Sequence, residues 1–279
     1  MYKQESENVR EQTAPKAAEA VIENHRLIFP DVKRRIPADA YKGNIRIQSI
    51  AFPRNLQVIG THAFWGCTAL EEVRLPQRVV QVGQGAFSEC FNLRSVYMSK
   101  RITAIQKETF KKDIRLERVL FTKDSQLTEI RKNAFYECRE LGGMLLPQNT
   151  HIIGDQAFYR CKSLKNVRFP EGLTSIGRNA FYFCGLETLN LPQSLEMLQE
   201  GAFFKCCNLT EVSLPTGIRH IGKWVFHGCS RLKVLEIRHD PEFIGEWIIN
   251  RAASIRCYKG SKADRYCQES GFTVEYIDN

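Results

Sequence analysis

Long apolar runs are missing from this 279-residue chain. No stretch reaches the roughly 18 consecutive apolar residues that a membrane-spanning helix needs, which excludes such a helix. Met1 to Glu23 is polar and charged and lacks an apolar h-region, so it does not read as a signal peptide. Catalytic signatures are missing too: there is no Walker loop, no H-E-x-x-H, no G-x-S-x-G and no dinucleotide-binding glycine pattern. His25, His62, His151, His220, His227 and His239 show no metal-ligand spacing, and no C-x-x-C pair suggests zinc. These gaps point to a chain that is not an enzyme and takes no cofactor.

What the chain has is one phrase, written again and again. Ile153-Gly154-x-x-Ala157-Phe158-x-x-Cys161-x-x-Leu164-x-x-Val167-x-Phe169-Pro170 recurs about every 23 residues. Self-similarity at such a period is the signature of a solenoid, in which small units stack and share one core. Within a unit, x-Val-x-Leu-Pro alternates apolar and variable residues, which predicts a strand with one buried face. The Pro ends that strand, since it has no N–H to donate. The x-x-Ile-Gly segment predicts a second, shorter strand, with Gly permitting the turn after it. The spacing in Ala-Phe-x-x-Cys-x-x-Leu predicts a short helical or 3₁₀ turn. The Phe slot, filled at Phe64, Phe87, Phe110, Phe135, Phe158, Phe181, Phe203 and Phe226, is the expected spine of the core.

Ten cysteines would suggest disulfides in a secreted chain. Here Cys67, Cys90, Cys138, Cys161, Cys184, Cys206 and Cys229 all fill one slot of the repeat. A slot shared by stacked units is an internal ladder, and free Cys behaves as a small, readily buried hydrophobe. Reduced thiols favour a reducing compartment and a cytoplasmic location. The alternative is a secreted or cell-surface protein whose leader has been removed.

The predicted organisation has three parts. Residues 1–26 form a polar lead and an N-terminal capping helix, with Pro15 at its first turn and Lys16 to Asn24 favouring helix. Residues 27–258 form the solenoid. Residues 259–279 form a C-terminal cap, with a short helix started by Ser261 and closed by Gly271, then a strand. Two units depart from the pattern. The one from Ile105 has Gln106, Thr109 and Asp113 in the Gly, Ala and Cys slots and two extra residues near Lys123-Asp124. The one from Ile176 is one residue short at Cys184-Gly185-Leu186.

The repeated I-G-x-x-A-F-x-x-C-x-x-L-x-x-V-x-L-P unit resembles the BspA-like leucine-rich repeat family, over about residues 27 to 258. The resemblance implies a right-handed β/α superhelix of about nine units of ~23 residues, with short strands and short helical or 3₁₀ turns. It also implies a bacterial protein that binds other proteins or host and cell surfaces through a strand-lined face, without family-wide catalytic residues.

A ligand site is therefore sought among the outward positions. The central outward position of successive strands reads Ala51, Arg74, Tyr97, Leu120, Leu145, Arg168, Asn190, Ser213, Glu236. Tyr97, Leu120 and Leu145 form an apolar run flanked by Arg74 and Arg168, with Arg118 beside it. An apolar patch with a polar rim is how interaction sites look. The expected ligand is a protein or peptide, bound by a monomer. Residues 94 to 132 also hold eleven Lys/Arg against five Asp/Glu. Lys100, Arg101, Lys107, Lys111, Lys112, Arg115 and Lys123 make up most of this basic patch and suggest a polyanion or glycan as the alternative ligand. The stripe Trp65, Tyr136, Tyr159, Tyr182, Phe204 and His227 reads as a half-buried ladder before it reads as a platform.

Overall fold

The computed structural model describes residues 19–278 and shows a parallel β-solenoid of about 11 turns. Most turns of the coil carry a strand of three or four residues, such as Ser95–Tyr97, and a two-residue strand, such as Ala104–Ile105. The strands stack in register from coil to coil. Val73, Val96 and Val119 align in one column, and Ile130, Ile153 and Ile176 in the other. The inward residue of each pair is apolar, so stacking builds one core from end to end.

The two strand columns differ in continuity. The short strands from Ala104–Ile105 to Phe243–Ile244 form one seven-stranded sheet. The longer strands fall into four sheets, broken between Ser49–Ala51 and Glu72–Arg74, between Arg118–Leu120 and Gly143–Leu145, and between Asn166–Arg168 and Glu211–Leu214. The second break follows the two inserted residues, and the third holds the shortened unit, whose Thr188–Leu191 segment is not a strand.

The Phe spine is continuous. Phe64 to Phe226 are fully buried, and adjacent rings stack with centroids 5.0–5.9 Å apart. Tyr41 fills the same slot in the unit from Ile36 and stacks on Phe64 at 5.4 Å.

Three expectations about local structure need correction. The Ala-Phe-x-x-Cys stretch is not helical. It is a run of tight turns in which alternate N–H groups bond within the coil and to the next one. Trp65 N–H donates to His62 and Cys67 N–H to Phe64, whereas Phe64 N–H reaches Ala86 and Gly66 N–H reaches Ser88. Two left-handed residues per coil make this possible, as at His62 (φ 52°) and Gly66 (φ 68°). Among the described residues the one helix is Lys262–Ser270, with Ser261 as its N-cap and Gly271 (φ 70°) closing it.

The patterned Gly is not there to supply positive φ. A Cβ on Gly60 would lie 2.4 Å from the Ala38 nitrogen, and one on Gly83 2.4 Å from the Thr61 nitrogen. In these coils Gly fits because the backbone of the preceding coil passes through the space of a side chain, whereas Gln106, Arg131 and Gln199 fill the slot in others.

The third correction concerns the start of the chain. Part of the helix expected over Lys16 to Asn24 lies outside the described residues. Within them, Val21–Glu23 is a strand, paired antiparallel with Arg26–Ile28. Asn24 and His25 both have positive φ, the two-residue turn whose twist suits a hairpin. The hairpin covers the solenoid's first edge, where an open strand would invite pairing with other chains.

Candidate interaction face

The outward positions of the longer strands behave as their alternation predicts. Leu145 is 63% exposed and Leu120 39% exposed, while Met144 and Val119 between their flanks are buried. Leu120 stands beside Tyr97 in the ladder, and Leu145 stands beside Arg168. The sheet break falls between these two pairs, so Leu120 and Leu145 belong to different sheets.

The arginines of this face are not equivalent. Arg74 is held by Glu72, to which its Nε and Nη2 both donate, and its guanidinium lies 3.8 Å over the Tyr97 ring. Among the described residues Arg118 and Arg168 make no ion pair. The C-terminal end of the same face is closed on itself. Arg256 pairs with Glu211 at 3.0 Å, Glu236 at 3.4 Å and Glu275 at 2.9 Å, and Arg238 pairs with Glu236 at 2.7 Å. Between Tyr97 and Arg168, exposed apolar area therefore meets positive charge that is unpaired among the described residues.

The basic patch does not form one surface. Its residues follow a coil around its perimeter, from Lys100 and Arg101 after one strand, through Lys111 and Lys112 in the tight turns, to Lys123 in the insertion. Carboxylates meet much of it. Lys100 pairs with Asp124 at 2.7 Å, Lys112 with Glu89 at 3.3 Å, and Glu108 lies 3.5 Å from Lys111 and 4.0 Å from Lys107. Arg115 donates to Asn92 at 2.7 Å.

The Tyr stripe is a ladder. Tyr136, Tyr159 and Tyr182 stack at 4.7 and 4.4 Å, Phe204 continues the stack at 5.4 Å, and all four are half-buried. Each ring covers the next, which leaves edges rather than faces to solvent.

The Cys slot has a role that its hydrophobicity does not reveal. Each thiol donates to the carbonyl of the Phe-slot residue one coil back. Cys138 reaches Phe110 at 3.0 Å, Cys161 Phe135 at 3.1 Å, Cys184 Phe158 at 3.0 Å and Cys206 Phe181 at 3.1 Å. Burial pushes the Cys67 and Cys229 thiols up to about 12, and Cys90, Cys138, Cys184 and Cys206 also rise well above the usual range. These sulfurs are donors and packing atoms, not nucleophiles.

One surface has no counterpart in the expectations drawn from the strand face. On the short-strand side, Met197, His220 and Phe243 align outward in register. With Arg178, Glu200, Lys223 and Glu246 they line a groove of about 540 Å³. Beside it, Trp224 and Trp247 are exposed and both left-handed, with φ of 59° and 54°. The variable residues of the x-x-Ile-Gly-x-x segment hold this signal.

A model of the BspA-type leucine-rich repeat region matches residues 34–144 and 128–256, in six copies. Among solved structures, a leucine-rich repeat protein from Bacteroides ovatus is similar at 21% identity, with a TM-score of 0.70 over 91% of this chain and 84% of that one. A leucine-rich repeat protein of T. pallidum is similar at 23% identity, with a TM-score of 0.50 over 96% of this chain and 100% of that one. No curated protein matches the chain.

Proposed function

The chain belongs to the BspA-type leucine-rich repeat family, and we propose that it is a non-enzymatic scaffold that holds a protein or peptide on its longer-strand face. The contact region is Arg74, Tyr97, Arg118, Leu120, Leu145 and Arg168. One observation carries this reading: exposed Leu120 and Leu145 share a face with two arginines, Arg118 and Arg168, that no carboxylate of the described residues engages. Apolar anchors inside a charged rim are what binding energy is drawn from. A ligand segment with apolar side chains between carboxylates complements that arrangement. The polyanion reading draws less support, because ion pairs within and between coils already meet Lys100, Lys107, Lys111 and Lys112. The buried thiol column supports a reducing compartment. No helix of the described residues is long and apolar enough to cross a membrane.

The test is quantitative affinity capture from the native lysate with the wild-type chain and a Leu120→Asp, Leu145→Asp variant. A partner retained by the first and lost by the second supports the face. Equal recovery by both places the site elsewhere. A steep loss between about 50 and 200 mM salt would instead favour the polyanion reading.

A further inference from the structure

The short-strand groove is built differently from the longer-strand face and does not depend on it. Its two walls are columns set by the repeat. One wall is Met197, His220 and Phe243, the outward residues of three strands paired in register. Phe243 is 49% exposed, and its ring stacks on His220 at 4.6 Å. The other wall is Arg178, Glu200, Lys223 and Glu246, whose charges alternate and cancel. Between the walls lie Gly222 and Gly245, where any Cβ would collide with the preceding coil, so the floor carries no side chains there. Coils repeat at about 4.8 Å, so the groove runs about 14 Å along the solenoid axis.

The neighbouring column adds an observation of backbone conformation. The first left-handed position of each coil holds small or polar residues elsewhere, such as Asp39, Gly85, Asn133 and Gly201. Bulky residues are disfavoured at positive φ. Trp224 and Trp247 nevertheless occupy it in the two coils that carry His220 and Phe243, with both indoles exposed. Lys223, which lines the groove, also lies 4.4 Å over the Trp224 ring. Trp224 is thus held, against its backbone preference, beside the groove, while Trp247 packs on His227, Phe272 and Arg251. Strain retained at a surface is a pointer to function.

From this arrangement we propose that the groove is a second binding site, for a neutral carbohydrate chain. The cancelling charges offer no net field to a polyion, which excludes a polyanion as the favoured ligand. The backbone donors of the floor are already spent: Gly222 N–H donates to Leu198 at 2.8 Å, Gly245 N–H to Ile221 at 2.8 Å and Gln199 N–H to Ile176 at 2.9 Å. A peptide therefore gains no strand addition here, although main-chain bonds are the usual source of affinity for extended peptides on a sheet. A sugar needs neither. Its hydroxyls donate to Glu200 and Glu246 and accept from Arg178 and Lys223. Its C–H faces carry small positive charge, and they pack on the exposed aromatic surface of Phe243 and Trp224. Three coil spacings, about 14 Å, match two to three hexose rings.

The test is calorimetric titration of the full chain with chitohexaose, cellohexaose and maltohexaose, with tryptophan fluorescence recorded in parallel. At least one should bind saturably, shift the fluorescence, and change less than about twofold between about 50 and 500 mM salt, in contrast to a polyanion. Phe243→Ala and Trp224→Ala should each weaken binding at least tenfold. Glu200→Gln, which leaves the aromatic wall intact, should weaken it severalfold and decides the matter if either truncation fails to fold. The Leu120→Asp, Leu145→Asp variant should bind the sugar as wild type does, so failure of the longer-strand reading stays separate. The proposal is overturned if none of the three oligosaccharides binds, if binding survives all three groove substitutions, or if only an acidic oligosaccharide or a neutral decapeptide binds there.

Discussion

Asp113 takes a backbone hydrogen bond away from Phe87. In neighbouring coils the Cys N–H donates to the Phe-slot carbonyl three residues earlier, as Cys67 does to Phe64 and Cys138 to Phe135, each at 3.1 Å. At Cys90 that N–H turns to the Asp113 Oδ1 at 2.8 Å. Asp113 is fully buried, and its Oδ2 has no partner. It stands in the Cys slot between Cys90 and Cys138, with Glu89 near enough to oppose its ionisation. Burial is the main cause that drives its carboxyl well above the usual range; the Cys90 N–H opposes the shift, and Glu89 adds to it.

The sign of the resulting pH dependence follows from linkage. Above the unfolded pKa of about 3.9, the unfolded chain gives up this proton while the folded chain keeps it. Stability from this group is therefore complete below that pH and declines as pH rises toward the folded pKa. Asp113→Asn, which keeps an acceptor for Cys90, should remove this slope. Chemical denaturation of both forms between pH 4 and 8 checks it. Parallel pH profiles would show that Asp113 is ionised in the fold.

Restoring the repeat in the same unit gives a second prediction. Gln106→Gly, Thr109→Ala and Asp113→Cys together should raise stability by about 1–2 kcal/mol at neutral pH, in the range of combined consensus changes. A loss of stability would show that the departures from the pattern are compensated locally, for example by the Thr109 hydroxyl, which donates to Gln106 at 2.8 Å.

Much of this architecture was legible because a repeat reports its own geometry. The Phe spine, the Cys column and the outward places of Leu120 and Leu145 follow from period and alternation alone. The features that escaped depend on distances between coils, which no single unit contains. Gly60 reads as a turn residue until the coil behind it is present. Cys138 reads as a small hydrophobe until the Phe110 carbonyl appears at 3.0 Å. Two of the breaks in the longer-strand sheet follow an insertion and a deletion whose consequences lie one coil away. Charge counts mislead for the same reason: Lys112 meets Glu89, its partner from the coil before, at 3.3 Å.

Glycine substitutions separate close approach from chain flexibility. Gly177→Ala places a Cβ 2.6 Å from the Asp155 nitrogen and should cost about 2–3 kcal/mol, as other overpacking does. Gly142→Ala meets nothing within 4 Å and should be neutral or slightly stabilising. Equal effects in thermal denaturation would contradict this account of the slot.

The spine makes a local prediction. Phe158 stacks between Phe135 at 5.2 Å and Phe181 at 5.0 Å and is fully buried. Phe158→Ala should cost about 3–5 kcal/mol. Coupling between nearest neighbours confines the first losses of hydrogen-exchange protection to the flanking coils. Uniform loss along the chain would mean that the solenoid melts as a single unit.

Charge reversal on the longer-strand face tests whether its unpaired arginines matter more than the number of lysines nearby. Arg118 and Arg168 make no ion pair among the described residues, whereas Lys111 and Lys112 already meet Glu108 and Glu89. Exposed pairs are worth little to stability, so either reversal should leave the fold within about 1 kcal/mol of wild type. Binding should respond differently. Arg118→Glu with Arg168→Glu places carboxylates beside Leu120 and Leu145 and should repel an acidic ligand, weakening capture of the partner at least tenfold. Lys111→Glu with Lys112→Glu changes charge by the same amount on the turn side and should alter capture by less than threefold. The two double variants carry the same net charge, so a general field would weaken both equally. A loss confined to the lysine variant would move the site to the tight turns, where the Tyr136–Tyr159–Tyr182 edges are the nearest aromatic surface.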